Sequence, residues 1–136
     1  MLVVDASAVT ELLLARPAGD AVARALRDHD FDLHAPHLLD VELLSVLRRV
    51  VAAGDATAER AGEAVADLLD LPIERYGHHI LAPRIWELRE NFSAYDATYV
   101  ALAESVADDG ASLVTADARM ARAASAHTSV DVILAA

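Results

Sequence analysis

The chain has no cysteine and no lysine among its 136 residues, and each absence excludes a class of site. Without cysteine there is no disulfide and no thiolate metal site, and a chain of this length buries enough surface to need no cross-link. Without lysine there is neither the phosphate-binding lysine of a P-loop nor the amine of a Schiff-base enzyme. All 11 basic residues are therefore arginine.

Positive charge and aromatic side chains are also scarce. The 22 acidic and 11 basic residues give a net charge of −11, and aromatic residues make up 4% of the chain. This balance disfavours a broad basic surface for nucleic acid, because such surfaces neutralise phosphates with basic side chains. A polyanionic substrate would need arginines at one edge, bound cations or a second subunit. The few aromatic residues offer no evident platform for stacking bases.

Long hydrophobic runs are missing too, although 55% of the residues are hydrophobic. Asp5 interrupts the apolar start of the chain, well short of the roughly 7–15 apolar residues of a secretory signal. No stretch approaches the roughly 20 apolar residues of a membrane span. We therefore expect a cytoplasmic protein without a membrane span, folded as a single domain over residues 1–136.

Short apolar runs alternate with amphipathic stretches along the chain. Strands are predicted over residues 2–4, 31–35, 71–75, 112–115 and 130–134. The third strand suits only a sheet edge, because Pro72 cannot donate to a ladder. Helices are predicted over residues 8–15, 20–26 (capped by Asp20), 38–53, 55–69 (opened by Asp55 or by Thr57), 78–89, 93–107 and 117–124. This alternation predicts an α/β fold with a mostly parallel central sheet flanked by helices on both faces.

Four acids lie where this fold class binds ligands, outside the carboxyl ends of parallel strands. Asp5 ends the first predicted strand, and Asp117 lies two residues beyond Thr115, the end of a later strand. Asp96 lies in the first turn of the helix that precedes that later strand. Glu42 falls inside the apolar arc of its helix, where an unpaired carboxylate carries a desolvation cost.

Each acid also has a purely structural interpretation. Asp117 could cap the helix that follows it, and Asp96 could belong to a variant capping box. Asp5 could finish its strand by entering a turn, and Glu42 could pair with Arg49. These explanations weaken when the acids are taken jointly, since carboxylates gathered at one edge would repel one another. Hard cations such as Mg²⁺ or Mn²⁺ prefer such oxygen ligands, and two ions about 4 Å apart support phosphodiester cleavage.

Other polar residues make weaker candidates. His34 and His37 flank Pro36, but nothing else in the sequence matches a zinc pattern. Ser7 lacks the glycine-framed turn of a nucleophile elbow. Two pairs of arginines, Arg48 with Arg49 and Arg119 with Arg122, could touch phosphates, yet solvated helix faces explain them more simply.

Four segments of the sequence resemble a known family: residues 3–8 (VVDASA), 39–42 (LDVE), 93–103 (SAYDATYVALA) and 113–117 (LVTAD). Together they resemble PIN domains, and among these most closely the VapC-type ribonuclease toxins of bacterial toxin–antitoxin pairs. The resemblance covers essentially the whole chain in the right order. The tyrosine–aspartate–alanine segment and the threonine-x-aspartate are its most specific parts.

The resemblance implies a PIN-like three-layer fold and an endoribonuclease that cleaves RNA phosphodiester bonds with water activated by Mg²⁺ or Mn²⁺. It implies metal-binding and catalytic roles for four acids, Asp5, Glu42, Asp96 and Asp117. It further implies supporting polar groups at three positions, Ser7, Asn91 and Thr115. A homodimer and a small antitoxin are also implied, the antitoxin blocking the site and helping to bind operator DNA.

Three other families with an aspartate at a strand end fit less well. A phosphatase of the haloacid dehalogenase type would need a second aspartate where Ser7 stands, and it would also need a lysine. A receiver domain would need a lysine as well, and the chain has none. A metal-dependent binding domain of the von Willebrand A type shares Asp5-x-Ser7, but would continue with serine or threonine where Val9 stands. This binding domain is the alternative, and RNA cleavage that requires a divalent metal would distinguish the two.

Overall fold

Five short strands form one parallel sheet at the centre of the computed structural model, which describes residues 1–136. The strands are β1 (Leu2–Val4), β2 (Leu33–Pro36), β3 (Ile73–Tyr76), β4 (Ser112–Thr115) and β5 (Val132–Leu134). Their order is β3-β2-β1-β4-β5, and every neighbouring pair is parallel. The order of the strands therefore reverses between β1 and β4.

Helices connect the strands. The α helices are α1 (Ala6–Leu13), α2 (Gly19–Asp28), α3 (Leu38–Ala52), α4 (Ala58–Asp70), α5 (Ala82–Glu87), α6 (Ala94–Ser105) and α7 (Ala118–His127), and a 3₁₀ helix spans His79–Leu81. None of them combines the length and the apolar composition that crossing a membrane requires.

The sheet divides the hydrophobic core into two clusters, one on each face. Along β1, successive side chains point to opposite faces, as the period of a strand requires. Leu2 and Val4 pack with α1 to α4, whereas Val3 packs with Leu113 and with α5, α6 and α7. The predicted three-layer α/β fold is confirmed, and the sheet is parallel throughout.

The structure corrects three details of the predicted elements. β2 begins at Leu33 because the chain is still turning at Asp30 and Phe31, both with a φ of 54°. The helix predicted over residues 78–89 is a 3₁₀ turn followed by α5, whose first turn contains a proline, the position where a missing N–H is tolerated. The predicted cap at Asp20 is wrong, because α2 begins at Gly19 and Asp20 lies inside its first turn.

The strand β3 lies at the edge of the sheet, as the proline before it predicts. It is tied to α3 by Arg75, whose guanidinium donates to both oxygens of Asp40 at 2.7 and 2.9 Å. This bidentate contact secures the edge strand against the helix that carries Glu42.

Candidate active site

All four predicted acids line a single cavity of about 370 Å³ at the carboxyl end of the sheet. Asp5 follows β1 and Asp117 follows β4, and these two strands are neighbours. Glu42 on α3 and Asp96 on α6 add two more acids, and a fifth acid that was not predicted, Glu11 on α1, also lines the wall. The cavity lies where the strand order reverses, which is the place where open parallel sheets bind ligands. A larger cavity, of about 680 Å³ around residues 108–111, contains none of these acids.

Asp5 is buried, with 4% of its surface exposed, and every side-chain oxygen is hydrogen-bonded. Its Oδ1 accepts from the backbone N–H of Ala8 at 2.9 Å and from the Ser7 hydroxyl at 2.8 Å. Its Oδ2 accepts from the Thr115 hydroxyl at 2.5 Å. Burial raises the pKa of Asp5 to about 6, although these three hydrogen bonds oppose the change. Asp5 therefore caps α1 and also presents a desolvated carboxylate to the cavity.

The hydroxyls of Ser7 and Thr115 hold Asp5 in place. Each hydroxyl donates to Asp5 and accepts from a backbone N–H, that of Ala116 for Ser7 (3.0 Å) and that of Asp117 for Thr115 (3.1 Å). A hydroxyl has one proton to donate, so both are committed to the carboxylate. The pair thus joins the end of β1 to the end of β4 and fixes the orientation of Asp5.

Glu42 is partly buried and is oriented by a tyrosine. The hydroxyl of Tyr99, a residue with 2% exposed surface on α6, donates to Glu42 Oε1 at 2.8 Å. Burial raises the pKa of Glu42; the hydrogen bond from Tyr99 opposes this, and the charge of Asp96 adds to it. The alternative pairing with Arg49 is wrong, because that side chain donates to Ser45 instead.

Asp96 and Asp117 lie at the N-terminal ends of two helices. Asp117 caps α7 by accepting from the backbone N–H groups of Arg119 (2.9 Å) and Met120 (3.2 Å). Ser93 caps α6 by accepting from the backbone N–H of Asp96, whose side chain is left for the cavity. Burial and then the charge of Asp117 raise the pKa of Asp96, against the attraction of Arg119. The Arg119 guanidinium lies 4.0 Å from Asp96 and 3.8 Å from Asp117, with its side chain 79% exposed.

The donor chemistry of the cavity fits a hard divalent cation. The four acids offer only oxygen ligands, and three of them have raised pKa values because burial and mutual repulsion disfavour their charged forms. However, no three Asp, Glu or His side chains lie close enough together to hold one ion. Binding a single ion through three carboxylates would therefore require side chains to move toward one another.

One predicted supporting residue lies away from the cavity. Asn91 is exposed in the turn between α5 and α6, where its backbone N–H donates to Leu88, and it is not part of the cavity wall. His34 is also remote from it, since its ring bonds to Asp32 and to the Tyr76 hydroxyl, both at 2.7 Å.

Sequence reasoning missed four polar residues of the cavity wall, which are Thr10, Glu11, Arg16 and Tyr99. The spacing of Tyr99 from Asp96 carried a signal, because residues three apart share a helix face. Arg16 gave no such signal, since its position depends on the turn between α1 and α2.

Comparisons with known proteins identify the family of the chain. Residues 2–126 match the model of the PIN domain family. Ribonuclease VapC9 of Mycobacterium tuberculosis is 41% identical over 98% of each chain, and ribonuclease VapC12 of the same organism is 35% identical over 98% of this chain and 99% of its own. The crystal structure of PAE2754 from Pyrobaculum aerophilum shares the fold, with a TM-score of 0.70 at 23% identity over 96% of this chain and 81% of that one. The chain therefore belongs to the PIN domain family and, within it, to the VapC ribonucleases.

Proposed function

We propose that this chain is a Mg²⁺- or Mn²⁺-dependent endoribonuclease that acts as the toxin of a bacterial toxin–antitoxin pair. One observation carries the proposal: four acids from four separate segments line one cavity at the switch point of the sheet. The names of the related ribonucleases support RNA as the substrate class. The excess of carboxylates supports a dication, since the cavity has far more negative than positive groups.

The residues of the cavity prepare it for phosphodiester chemistry. A bound dication would lower the pKa of a water molecule and stabilise negative charge on the phosphate. Asp5 has its orientation fixed by two hydroxyls and a backbone N–H, and Glu42 has its orientation fixed by Tyr99. Asp96 and Asp117 face the same cavity from the starts of α6 and α7. Because Asp5 has a pKa of about 6, it is mostly ionised at neutral pH and able to bind a cation.

The direct test is cleavage of total bacterial RNA by the purified chain, with Mg²⁺ or Mn²⁺ or with a chelator. We expect cleavage only with the metals, and a loss of at least about 100-fold in Asp5→Asn and Asp96→Asn. The exposed Asp20 lies outside the cavity, so Asp20→Asn is a matched control that should keep wild-type activity. Undiminished cleavage by both cavity variants, or cleavage that ignores the chelator, would contradict the mechanism. Metal-dependent binding without turnover would favour the von Willebrand A-type alternative.

We also propose that the chain works in the cytoplasm as a homodimer, bound by a small antitoxin that blocks the cavity and carries the complex to operator DNA. Exposed apolar side chains beside the cavity support a protein partner. Val41 on α3 and Tyr95 on α6 are 65% and 60% exposed, and they line a groove that shares Glu42 with the acidic cavity. Light scattering of the purified chain tests the dimer, and co-purification with the product of a neighbouring short gene tests the antitoxin. A monomer at micromolar concentration would contradict the first.

A further inference from the structure

Arg16 is a half-buried cation in the wall of the acidic cavity that has no carboxylate partner. Its guanidinium forms no ion pair and no hydrogen bond. Four arginines are held by carboxylates, among them Arg75 and Arg84. Of the arginines that are not, Arg16 is the one that lines the acidic cavity. The other basic residue near the acids, Arg119, is mostly exposed and lies beside two of them. The charge of Arg16 is therefore available to a ligand.

The backbone around Arg16 is held by a strained turn. The N–H of Ala15 donates to Leu12 (3.3 Å) and that of Arg16 donates to Glu11 (2.9 Å), which is the hydrogen-bond pattern of a Schellman motif. The left-handed position of this motif is usually glycine, but here it is Ala15, with a φ of 51°. Strained backbone of this kind persists only where the surrounding structure imposes it, and it clusters at functional sites.

Close packing of α2 against α1 supplies that constraint. A Cβ on Gly19 would lie 2.7 Å from the carbonyl oxygen of Glu11, so only glycine allows this approach. The Glu11 carboxylate accepts from the backbone N–H of Ala18 at 3.2 Å, and the Gly19 N–H donates to the Arg16 carbonyl at 2.9 Å. The backbone on both sides of Arg16 is thus fixed, and this fixes the point in the cavity wall from which its side chain extends.

We propose that Arg16 binds a phosphate of the RNA adjacent to the one that is cleaved. The inference rests on the proposed function and adds a named contact to its substrate. A guanidinium stays protonated at any physiological pH and matches two phosphate oxygens with two parallel N–H groups. Because Arg16 has no carboxylate to leave, binding RNA breaks no existing ion pair. Five acids wall the cavity, so an entering RNA strand needs such a cation to offset the repulsion of its phosphates.

Steady-state cleavage of an RNA oligonucleotide that spans a mapped cleavage site tests the inference. Arg16→Met removes the charge and keeps a long apolar stem, Arg16→Lys keeps the charge without the planar fork, and Arg24→Met is the control. Arg24 is exposed on α2, forms no ion pair and lies outside the cavity. In Arg16→Met we expect KM to rise about tenfold while kcat changes little. In Arg16→Lys the rise in KM should be smaller, and in Arg24→Met KM should not change. The slope of log(kcat/KM) against log[NaCl] should fall by about 0.7 in Arg16→Met alone.

Thermal unfolding of the variants in chelator separates binding from folding. A purely structural role for Arg16 would lower the unfolding temperature while leaving KM and the salt slope at control values, and that result would refute the inference. If Arg16→Met does not fold, the KM of Arg16→Lys decides, since an unchanged value would exclude the bidentate contact. A wild-type chain that cleaves no RNA with either metal would refute the proposed function and this inference together. Wild-type cleavage with Arg16→Met equal to Arg24→Met would refute this inference alone.

Discussion

Replacing Asp5 with asparagine should stabilise the metal-free protein at neutral pH. The asparagine carbonyl can take the place of Oδ1, which accepts from Ala8 and Ser7. The amide nitrogen would then face the Thr115 hydroxyl, which must turn from donor to acceptor. Thr115 Oγ1 has two lone pairs and accepts only one backbone N–H in the structure, so it can accept the amide as well. The proton of the Thr115 hydroxyl can turn to Ser7 Oγ, which lies 3.1 Å away. The substitution therefore removes the charge and leaves no buried polar atom without a partner.

The expected magnitude follows from the pKa of Asp5, which burial raises from 3.8 to about 6. Since a difference of one in pKa corresponds to about 1.4 kcal/mol, ionised Asp5 lowers the free energy of unfolding by about 3 kcal/mol above pH 6. Below about pH 4 the carboxyl is protonated in both the folded and the unfolded chain, and the penalty disappears. Allowing about 1 kcal/mol for the rearranged hydrogen bond, asparagine should stabilise by about 2 kcal/mol at pH 7.5.

Urea unfolding with a chelator at pH 7.5 and at pH 4 measures this difference, with Asp20→Asn as the control at an exposed acid. The advantage of Asp5→Asn should be lost as the pH falls through 6 toward 4, because the wild-type carboxyl then takes up a proton. Equal destabilisation by asparagine at both pH values would refute the reasoning, since it would mean that the ionised carboxylate carries no desolvation penalty. Saturating Mn²⁺ should reverse the order of stability at pH 7.5, because only the wild type retains all four acids.

Three further predictions concern the cavity and the turn beside it. Tyr99→Phe should keep the fold but weaken Mn²⁺ binding about tenfold, because Glu42 loses the hydrogen bond that orients it; a Mn²⁺ titration of the unfolding temperature measures this. Gly19→Ala should destabilise by about 1–3 kcal/mol in urea unfolding, because its Cβ would lie 2.7 Å from the Glu11 carbonyl oxygen. Mn²⁺ should raise the unfolding temperature of the wild type more than that of Asp96→Asn, and a flat wild-type titration would contradict a metal site.

The sequence could predict the class of fold because short apolar runs and helical periodicity are local properties. It could place Asp5 after one strand and Thr115 at the end of another, but their contact spans 110 residues. That contact exists because β1 and β4 are neighbours, and strand order depends on how the helices cover both faces of the sheet. Local pattern therefore located the individual acids, and the shared cavity followed from topology.

The local sequence pattern did not predict the positions of three other residues correctly, and each case has a physical reason. The position of Arg16 could not be predicted, because the left-handed residue before it is alanine and not the glycine that is typical of such a turn. Asp20 was assigned as a cap from residue type alone, but α2 begins at Gly19, packed against α1. Asn91 was assigned by resemblance, and the turn in which it lies leaves it outside the cavity.

An acid can cap a helix and bind a cation at the same time. The type of residue that caps each helix indicates which acids have the second role. α4 is capped by Thr57 and α6 by Ser93, so neutral hydroxyls suffice as caps in this protein. The two helices that begin beside the strand reversal are instead capped by Asp5 and Asp117. The positive ends of these helix dipoles offset part of the charge, yet burial still raises the pKa of Asp5 to about 6. Capping alone does not require a charge that destabilises the fold at neutral pH, whereas binding a cation does.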